Sequence, residues 1–301
     1  MIEWLAPAIG SPATFSIVTF GDKAILSRFG LSSSSLTLFV GLNQALFGTV
    51  VLFFAPLNGI DVGDVLGGLG SGVFQGLGLI LMFFMLKREE ASRVIPVFQT
   101  SPIFVALLAT AFLDDSISVI QWMAVLLAVV GAIAASTTRS SVSGSFRPRP
   151  IFGVLILAAA SVAVSQIFLE IATDEMSVWN TVTLRGWGMA GVMSIAFARR
   201  TNLQELGSFL MVPKHGGLLI LTEGVLAVAA SVQLIFAISR GPVSLVAAIF
   251  GTRPGFMFVL GLVGSKVYPS FFDEVFDRTE FLIKLAATTL IVTAIVLIAT
   301  G

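Results

Sequence analysis

Two arginines, Arg185 and Arg253, lie deep inside long apolar runs of the sequence. Arg253 is about 15 Å into a run that starts near position 243, at a helical rise of about 1.5 Å per residue. A charged side chain at that depth in a bilayer costs at least about 2.5 kcal/mol unless it faces a wet cavity or a partner. We therefore predict that both arginines bind substrate, and that Arg253 is a dedicated contact for an anion or a carboxylate. The alternative for Arg253 is a side chain that reaches the interface or is paired for structural reasons.

An acidic residue, Glu223, lies about 12 Å inside the run that begins near His215. Removal from water raises the proton affinity of a carboxyl group toward the working pH range, as a proton-coupled carrier needs. An ion pair with Arg185 has the opposite effect, and the two runs are consecutive and antiparallel. Glu223 is thus predicted either to exchange a coupling proton or to pair with Arg185.

Neutral polar and aromatic side chains at membrane depth complete the candidate site. Gln99 lies one helical turn before Pro102, and a proline leaves backbone groups close to it without helical partners. We predict that Gln99 contacts substrate, with a role in helix packing as the alternative. Trp187 is predicted to line an aromatic cavity, or else to face lipid as many aromatic residues do. Pro102 and Pro254 are predicted to break their helices.

Missing residue types exclude several kinds of chemistry. The sequence has no Cys and one His, so thiolate metal sites, disulfides and multi-His metal centres are excluded, and we expect no metal and no cofactor. His215 lies at the end of an apolar run, which argues against a serine-type enzyme inside the membrane. Basic and acidic residues number 17 each, so no excess positive field attracts nucleic acid.

The composition indicates that these residues lie in a membrane. Hydrophobic residues make up 56% of the 301 positions, charged residues 11%, and the mean hydropathy is +1.00. About 20 apolar residues suffice for a helix to cross the hydrocarbon, where an open backbone finds no hydrogen-bond partners. We predict an all-α, multi-pass protein of the cell (inner) membrane, in contact with lipid. The ten predicted spans are 5–27, 34–56, 64–86, 92–113, 117–137, 151–173, 178–198, 215–238, 243–264 and 281–300.

The two halves of the sequence are similar to each other. A shift of 152 positions gives nine identities in the 25 positions from 84 to 108, and the polar and proline matches are the informative ones. The matched pairs are Phe84/Phe236, Arg88/Arg240, Ser92/Ser244, Val94/Val246, Phe98/Phe250, Thr100/Thr252, Pro102/Pro254, Phe104/Phe256 and Leu108/Leu260. We predict a first five-helix repeat over 1–138, a connecting loop over 139–150 and a second five-helix repeat over 151–301.

An odd number of spans in each repeat predicts that the second repeat enters the bilayer from the opposite side. Inverted repeats can pack around one central site in two ways, as a transporter that works by alternating access requires. A duplication kept only for stability is the alternative. The leading hypothesis is a secondary transporter of a small organic solute, such as an amino acid or another metabolite. A non-transporting scaffold or sensor and an intramembrane enzyme are the other functions considered.

The segment from Glu90 to Trp122 contains small residues at a helix entry, a proline within the helix, an acidic residue near its end and a glutamine at the start of the next helix. The last three are Pro102, Asp115 and Gln121. This arrangement resembles the repeat of the EamA-type drug/metabolite transporter family. The second copy departs from it, since Val267 stands at the acidic position. The resemblance implies a ten-helix secondary transporter of small organic solutes, often an exporter.

The charge distribution and the family resemblance disagree on the orientation of the chain. Fourteen of the 17 Lys and Arg residues lie in or next to the odd-numbered connections between predicted spans. The positive-inside rule makes these connections cytoplasmic and places both termini outside. The usual arrangement of the resembled family implies that both termini are inside, so the sequence leaves both orientations open.

Overall fold

The computed structural model describes residues 3–86, 94, 97–113, 117–136, 151–267 and 278–300, and every regular element in these ranges is a helix. The predicted all-α class is therefore confirmed. Two sequence predictions lie outside the described residues, namely the acidic helix end at Asp115 and the loop over 139–150.

The described part of the first half includes five helices with defined bounds. They are α1 (Leu5–Ser27), α2 (Ser33–Val51), α3 (Val62–Leu86), α4 (Ser101–Phe112) and α5 (Val119–Ser136). The second half begins with three more, α6 (Ile151–Glu175), α7 (Val178–Phe197) and α8 (Arg200–Met211). It continues with α9 (Pro213–Leu219), a π-helical segment (Ile220–Leu226), α10 (Ala227–Ile238), α11 (Val243–Phe250), α12 (Arg253–Val267) and α13 (Arg278–Thr300).

Six helical segments of the described residues are long and apolar enough to cross a bilayer. They are Ser33–Val51, Val62–Met85, Gly153–Glu175, Pro213–Ile238, Val243–Gly264 and Phe281–Ile298. Helices α4 and α5 are apolar but shorter. Helices α1 and α7, with 23 and 20 residues, also have the length of a span, but they carry charged residues such as Asp22 and Arg185. The long apolar segments fit a protein that crosses the membrane several times.

Helix α8 lies in a stretch that the sequence analysis treated as a connection. It is amphipathic, and its Leu206 and Phe209 are buried in a cluster with Ile25 and Leu36 from the first two helices. The apolar side of this short helix therefore packs against the ends of α1 and α2, while most of its other residues are polar or charged.

A carboxylate of α8 also caps the start of α2. Glu205 accepts hydrogen bonds from the Ser32 amide at 2.8 Å, the Ser32 hydroxyl at 2.6 Å and the Ser35 hydroxyl at 2.5 Å. An anion is favourable at a helix N-terminus because the first N–H groups have no helical partners. Partial burial alone would raise the pKa of Glu205, but the hydrogen bonds from the two serines outweigh it and hold the pKa below its ordinary value.

The helices pack in pairs that cross between the two halves of the chain. Helix α3 lies along α6 and α7, α1 along α10, α2 along α7, and α5 along α13. At Gly72 of α3, an added Cβ would collide with the backbone of Arg185 and Met189 on α7. The glycines at 68 and 76 face the same helix. Small residues four apart on α3 therefore let α7 approach closely.

Helical stretches are interrupted at corresponding places in the two halves, after Phe98 and after Phe250. The amide and hydroxyl of Thr100 both donate to the Val97 carbonyl, at 3.1 and 2.6 Å. The amide and hydroxyl of Thr252 donate in the same way to the Ile249 carbonyl, at 3.0 and 2.6 Å. Each threonine lies two positions before one of the prolines expected to break its helix, and a new helix begins directly after it. These interruptions border the cavity described next.

Candidate functional site

A cavity of about 140 Å³ lies at the centre of the helices, lined by residues of both halves of the chain. Its wall combines apolar side chains with an unusual number of polar and charged groups for the interior of a membrane protein. The polar and charged lining residues are Gln44, Gln75, Gln99, Ser101, Gln166, Arg185, Glu223, Ser231 and Arg253. Four of the residues that the sequence predicted for the site, Arg185, Arg253, Gln99 and Glu223, are thus brought together here.

Arg185 is held by neutral groups of the neighbouring helices. Its Nη1 donates to the Ser165 hydroxyl at 3.0 Å and its Nη2 donates to Gln75 Oε1 at 3.0 Å. The Ser165 hydroxyl in turn donates to the Ser71 carbonyl at 2.7 Å, so it offers a lone pair to the arginine. The ion pair with Glu223 that the sequence left open is not present, since these are the partners of the guanidinium in the described part of the chain.

Arg253 lies at the first residue of α12 and reaches toward α1. Its Nη2 donates to the Phe15 carbonyl at 2.9 Å and to the Thr19 hydroxyl. The guanidinium carbon lies 5.3 Å from the centre of the Phe15 ring. Two carboxyl groups, Asp22 and Glu223, lie close enough to interact with its charge.

The two carboxyl groups near Arg253 are also neighbours of each other. Asp22 on α1 and Glu223 on the π-helical segment are close enough for their charges to interact. A hydrogen bond between two carboxyl groups requires a proton on one of them, because carboxylates only accept. Asp22 Oδ1 is buried and has no hydrogen-bond partner among the described residues. The arrangement can therefore hold one proton between two acids beside one arginine.

Sequence reasoning missed Asp22. The residue lies near the end of a predicted span and is followed by Lys23, so it has the pattern of a solvated charge at the membrane boundary. The signal that identifies it is its position one turn beyond the buried Val18, on the side of α1 that faces the second half of the chain. The close packing of α1 against the π-helical segment is also seen at Gly21, where an added Cβ would collide with Thr222 beside Glu223.

The π-helical segment positions Glu223. A π-helix widens the turn and shifts carbonyl groups away from their α-helical partners, and such segments are frequent at functional sites. The Asn43 side-chain amide donates to the Glu223 carbonyl at 2.9 Å. Helix α2 therefore satisfies a backbone group of this segment while the Glu223 side chain faces α1 and the cavity.

The two helix interruptions contact each other at the cavity. Gln99 Nε2 donates to the Gly251 carbonyl at 3.3 Å. Pro102 lies against Gly251, where an added Cβ would meet its ring at 2.8 Å. Pro254 follows Arg253 in the first turn of α12, where a proline needs no amide hydrogen.

Trp187 lies apart from these residues. It does not line the cavity, and its indole Nε1 donates to the Thr49 hydroxyl at 3.0 Å on an exposed part of the α2–α7 contact. Within the described residues, no three His, Cys, Asp or Glu side chains are grouped so as to hold a metal ion.

The fold and the site define a multi-pass, all-helical membrane protein with a polar cavity at its centre. Residues 8–137 match the EamA-like transporter family. This part of the chain thus carries an EamA domain, and the match confirms the family resemblance of the sequence. A match to a transporter family implies a small-molecule substrate and a lipid environment.

Structural similarity extends over the whole chain. One solved crystal structure aligns with 97% of this chain and 96% of its own, with a TM-score of 0.64 and 14% sequence identity. Similarity at that identity shows a shared fold. No curated protein matches this sequence.

Proposed function

We propose that the protein is a secondary transporter that moves a small organic solute, such as an amino acid or another metabolite, across the cell membrane by alternating access. The observation that carries this proposal is the central cavity, which is lined by both halves of the chain and contains Arg185, Glu223 and Arg253. Ionisable residues at this depth are expensive unless they serve a substrate or ion pathway.

The contacts at the two helix interruptions support an arrangement of two inverted five-helix repeats, over 1–138 and 151–301, with ten spans. Gln99 and Gly251 are 152 positions apart, the shift that aligns the two halves, and they touch each other. Equivalent positions can touch only where they lie near the axis that relates two repeats. The pairing of α3 with α6 and of α10 with α1 is reciprocal in the same sense, since each joins the third predicted span of one half to the first predicted span of the other.

Roles for the cavity residues follow from their contacts. We assign substrate contact to Arg185, Arg253 and Gln99, and helix interruption to Pro102 and Pro254. Interrupted helices leave backbone groups that can bind a solute near the midplane, as in other transporters with inverted repeats.

Proton coupling is assigned to Glu223 together with Asp22. When the shared proton leaves, two carboxylates face one arginine. The net charge where α1, the π-helical segment and α12 meet then becomes more negative by one. A conformational equilibrium responds to such a change when the two states differ in how well they stabilise it. Loss and gain of this proton on opposite sides of the membrane would couple solute movement to a pH gradient.

The test is counterflow and net uptake by purified protein in proteoliposomes, for a panel of amino acids and other small metabolites, with and without an imposed pH gradient. Wild-type protein should give gradient-dependent flux of at least one solute, and the direction of net movement distinguishes export from import. Folded protein without flux across a broad panel would contradict the proposal and favour a scaffold.

Two variants test the assigned residues. Glu223→Gln should retain counterflow but lose the pH dependence of net flux, whereas Glu175→Gln, at an exposed acid, should behave as wild type. An unchanged pH profile in Glu223→Gln would exclude Glu223 as the proton carrier. Arg253→Ala should abolish flux while the protein still inserts in the membrane, and wild-type activity would exclude its role.

A further inference from the structure

The two arginines at the cavity have different surroundings within the described residues. Arg253 lies near two acidic groups, Asp22 and Glu223. Arg185 has no acidic partner among the described residues, and its two hydrogen bonds go to a hydroxyl and an amide oxygen. In the described part of the chain, the positive charge of Arg185 is therefore left without an adjacent counter-charge.

An arginine does not remove this imbalance by losing its proton, because its guanidinium stays ionised in proteins. It has five N–H donors, and two of them have protein partners in the described part of the chain. A buried charge without a partner is destabilising, so such a residue is retained where a ligand supplies the missing charge.

The groups that hold Arg185 orient it without neutralising it. Ser165 is fully buried, and its bond to the Ser71 carbonyl fixes which way its lone pair points. Gln75 lies one helical turn after Ser71 on α3, and both helices α3 and α6 hold the guanidinium of α7. The arginine is thus positioned by three helices, and its remaining donors are available to a molecule in the cavity that it lines.

The size and the wall of the cavity restrict what that molecule can be. An apolar cavity of about 150 Å³ holds a molecule of the size of benzene, so about 140 Å³ suits a solute of roughly six non-hydrogen atoms. Leu79, Val182 and Met189 line the cavity as well and offer apolar surface to the rest of the solute. The planar guanidinium fork matches a carboxylate with two parallel hydrogen bonds.

We propose that Arg185 is the binding site for the carboxylate of the transported solute, and that the substrates are small organic acids or zwitterions with a single carboxylate group. This inference rests on the proposed transport function. A single carboxylate balances the single uncompensated charge, whereas a phosphate, which carries about −1.5 to −2 at neutral pH, would overcompensate it.

The test uses three probes of nearly equal size, namely butyrate, butyramide and butylammonium, with inorganic phosphate as a fourth. Thermal unfolding of the purified full-length protein in detergent is followed at increasing concentrations of each probe, since a ligand that binds the folded state raises the midpoint temperature. Butyrate should stabilise the protein, and the neutral and cationic analogues should stabilise it at least about tenfold less strongly in apparent affinity.

Variants separate binding from a structural role. Arg185→Gln should lose the butyrate response by at least about tenfold in apparent affinity, because it removes the charge and the fork. Arg185→Lys should retain part of it, and Arg240→Gln, at an exposed arginine, should retain all of it. Without probe, Arg185→Gln should unfold at or above the wild-type temperature, because an uncompensated buried charge has been removed; a structural arginine would give the opposite shift.

Several results would overturn the inference. They are equal responses to butyrate and butyramide, a response to phosphate but not to butyrate, and an undiminished butyrate response in Arg185→Gln. Flux of neutral or cationic solutes without any flux of carboxylates would refute this inference while leaving the transport proposal intact. A selective butyrate response in a protein that moves no solute would refute the transport proposal and leave Arg185 as a carboxylate-binding residue.

Discussion

Replacement of Gly186 by Ala tests how closely α2 and α7 must approach to place Arg185 beside the cavity. A Cβ at Gly186 would lie 2.5 Å from the Gln44 carbonyl oxygen and 2.9 Å from its carbon. These are backbone atoms, which cannot rotate away as the end of a side chain can. Gly191 is on the same helix and provides a matched control, because a Cβ there meets no atom within 4 Å.

The expected magnitude follows from two opposing terms. Non-bonded atoms prefer a separation of about 3.5 Å, so the two helices would have to move apart by about 1 Å. Overpacking of this kind destabilises by about 1–3 kcal/mol, while Ala is favoured over Gly in a helix by about 1 kcal/mol. The helix preference applies to both variants and cancels in their difference. Gly186→Ala should therefore be less stable than Gly191→Ala by about 1–3 kcal/mol.

The assay is reversible unfolding in mixed micelles, with the free energy of unfolding of both variants measured under one set of conditions. Gly191→Ala should equal or exceed the wild type in stability. Equal stabilities of the two variants would refute the close α2–α7 contact on which the position of Arg185 depends.

Three further predictions concern other contacts. Glu205→Gln should lower the stability at pH 7 by about 1 kcal/mol, a value reduced for solvent exposure, and thermal unfolding should show it. The pKa of Glu205 is depressed in the folded state, so its stabilising effect is complete above the ordinary value of 4.5 and is lost as the pH falls through the folded value. The stabilities of the variant and the wild type should therefore converge in acid, and a constant difference would contradict the capping role. Asp22→Asn should remove the pH dependence of flux as Glu223→Gln does, because the proton is shared, and a normal profile would assign the proton to Glu223 alone. Thr183→Val should reduce stability by about 1 kcal/mol, since its hydroxyl donates to the Gly48 carbonyl at 2.9 Å where α2 and α7 cross, and an unchanged unfolding curve would exclude that contribution.

Site residues could be predicted from the sequence where a charged side chain lies at a depth in the membrane at which its free energy is high. Arg185, Glu223 and Arg253 could be recognised as site candidates because a charge far from the ends of an apolar run needs a partner or a cavity. The internal repeat also predicted where the helices are interrupted, since the threonine and proline that recur after 152 positions occur at both interruptions.

Pairing of those charges could not be predicted, because it depends on which sides of the helices face each other. The sequence offered Arg185 as a partner for Glu223 because the two apolar runs are consecutive and antiparallel. The structure instead places Glu223 against Asp22, a residue some 200 positions away that has the pattern of a boundary charge.

The π-helical segment was equally hidden in the sequence. Its residues, Ile220 to Leu226, are compatible with an α-helix, and nothing in their order marks a change of helix type. Such a segment is stabilised by tertiary contacts, here the Asn43 amide that binds the Glu223 carbonyl. Local sequence preference does not contain that information.

The most direct test of the central claim is two-sided access to the cavity, and the absence of cysteine from the sequence makes it practical. Ser231→Cys places one thiol on the cavity wall, and Ala158→Cys provides a buried control outside it. A membrane-impermeant thiol reagent is added to one side or the other of oriented proteoliposomes. Alternating access predicts modification of Ser231→Cys from either side and none of Ala158→Cys; modification of Ser231→Cys from one side alone, whatever gradient is imposed, would contradict it.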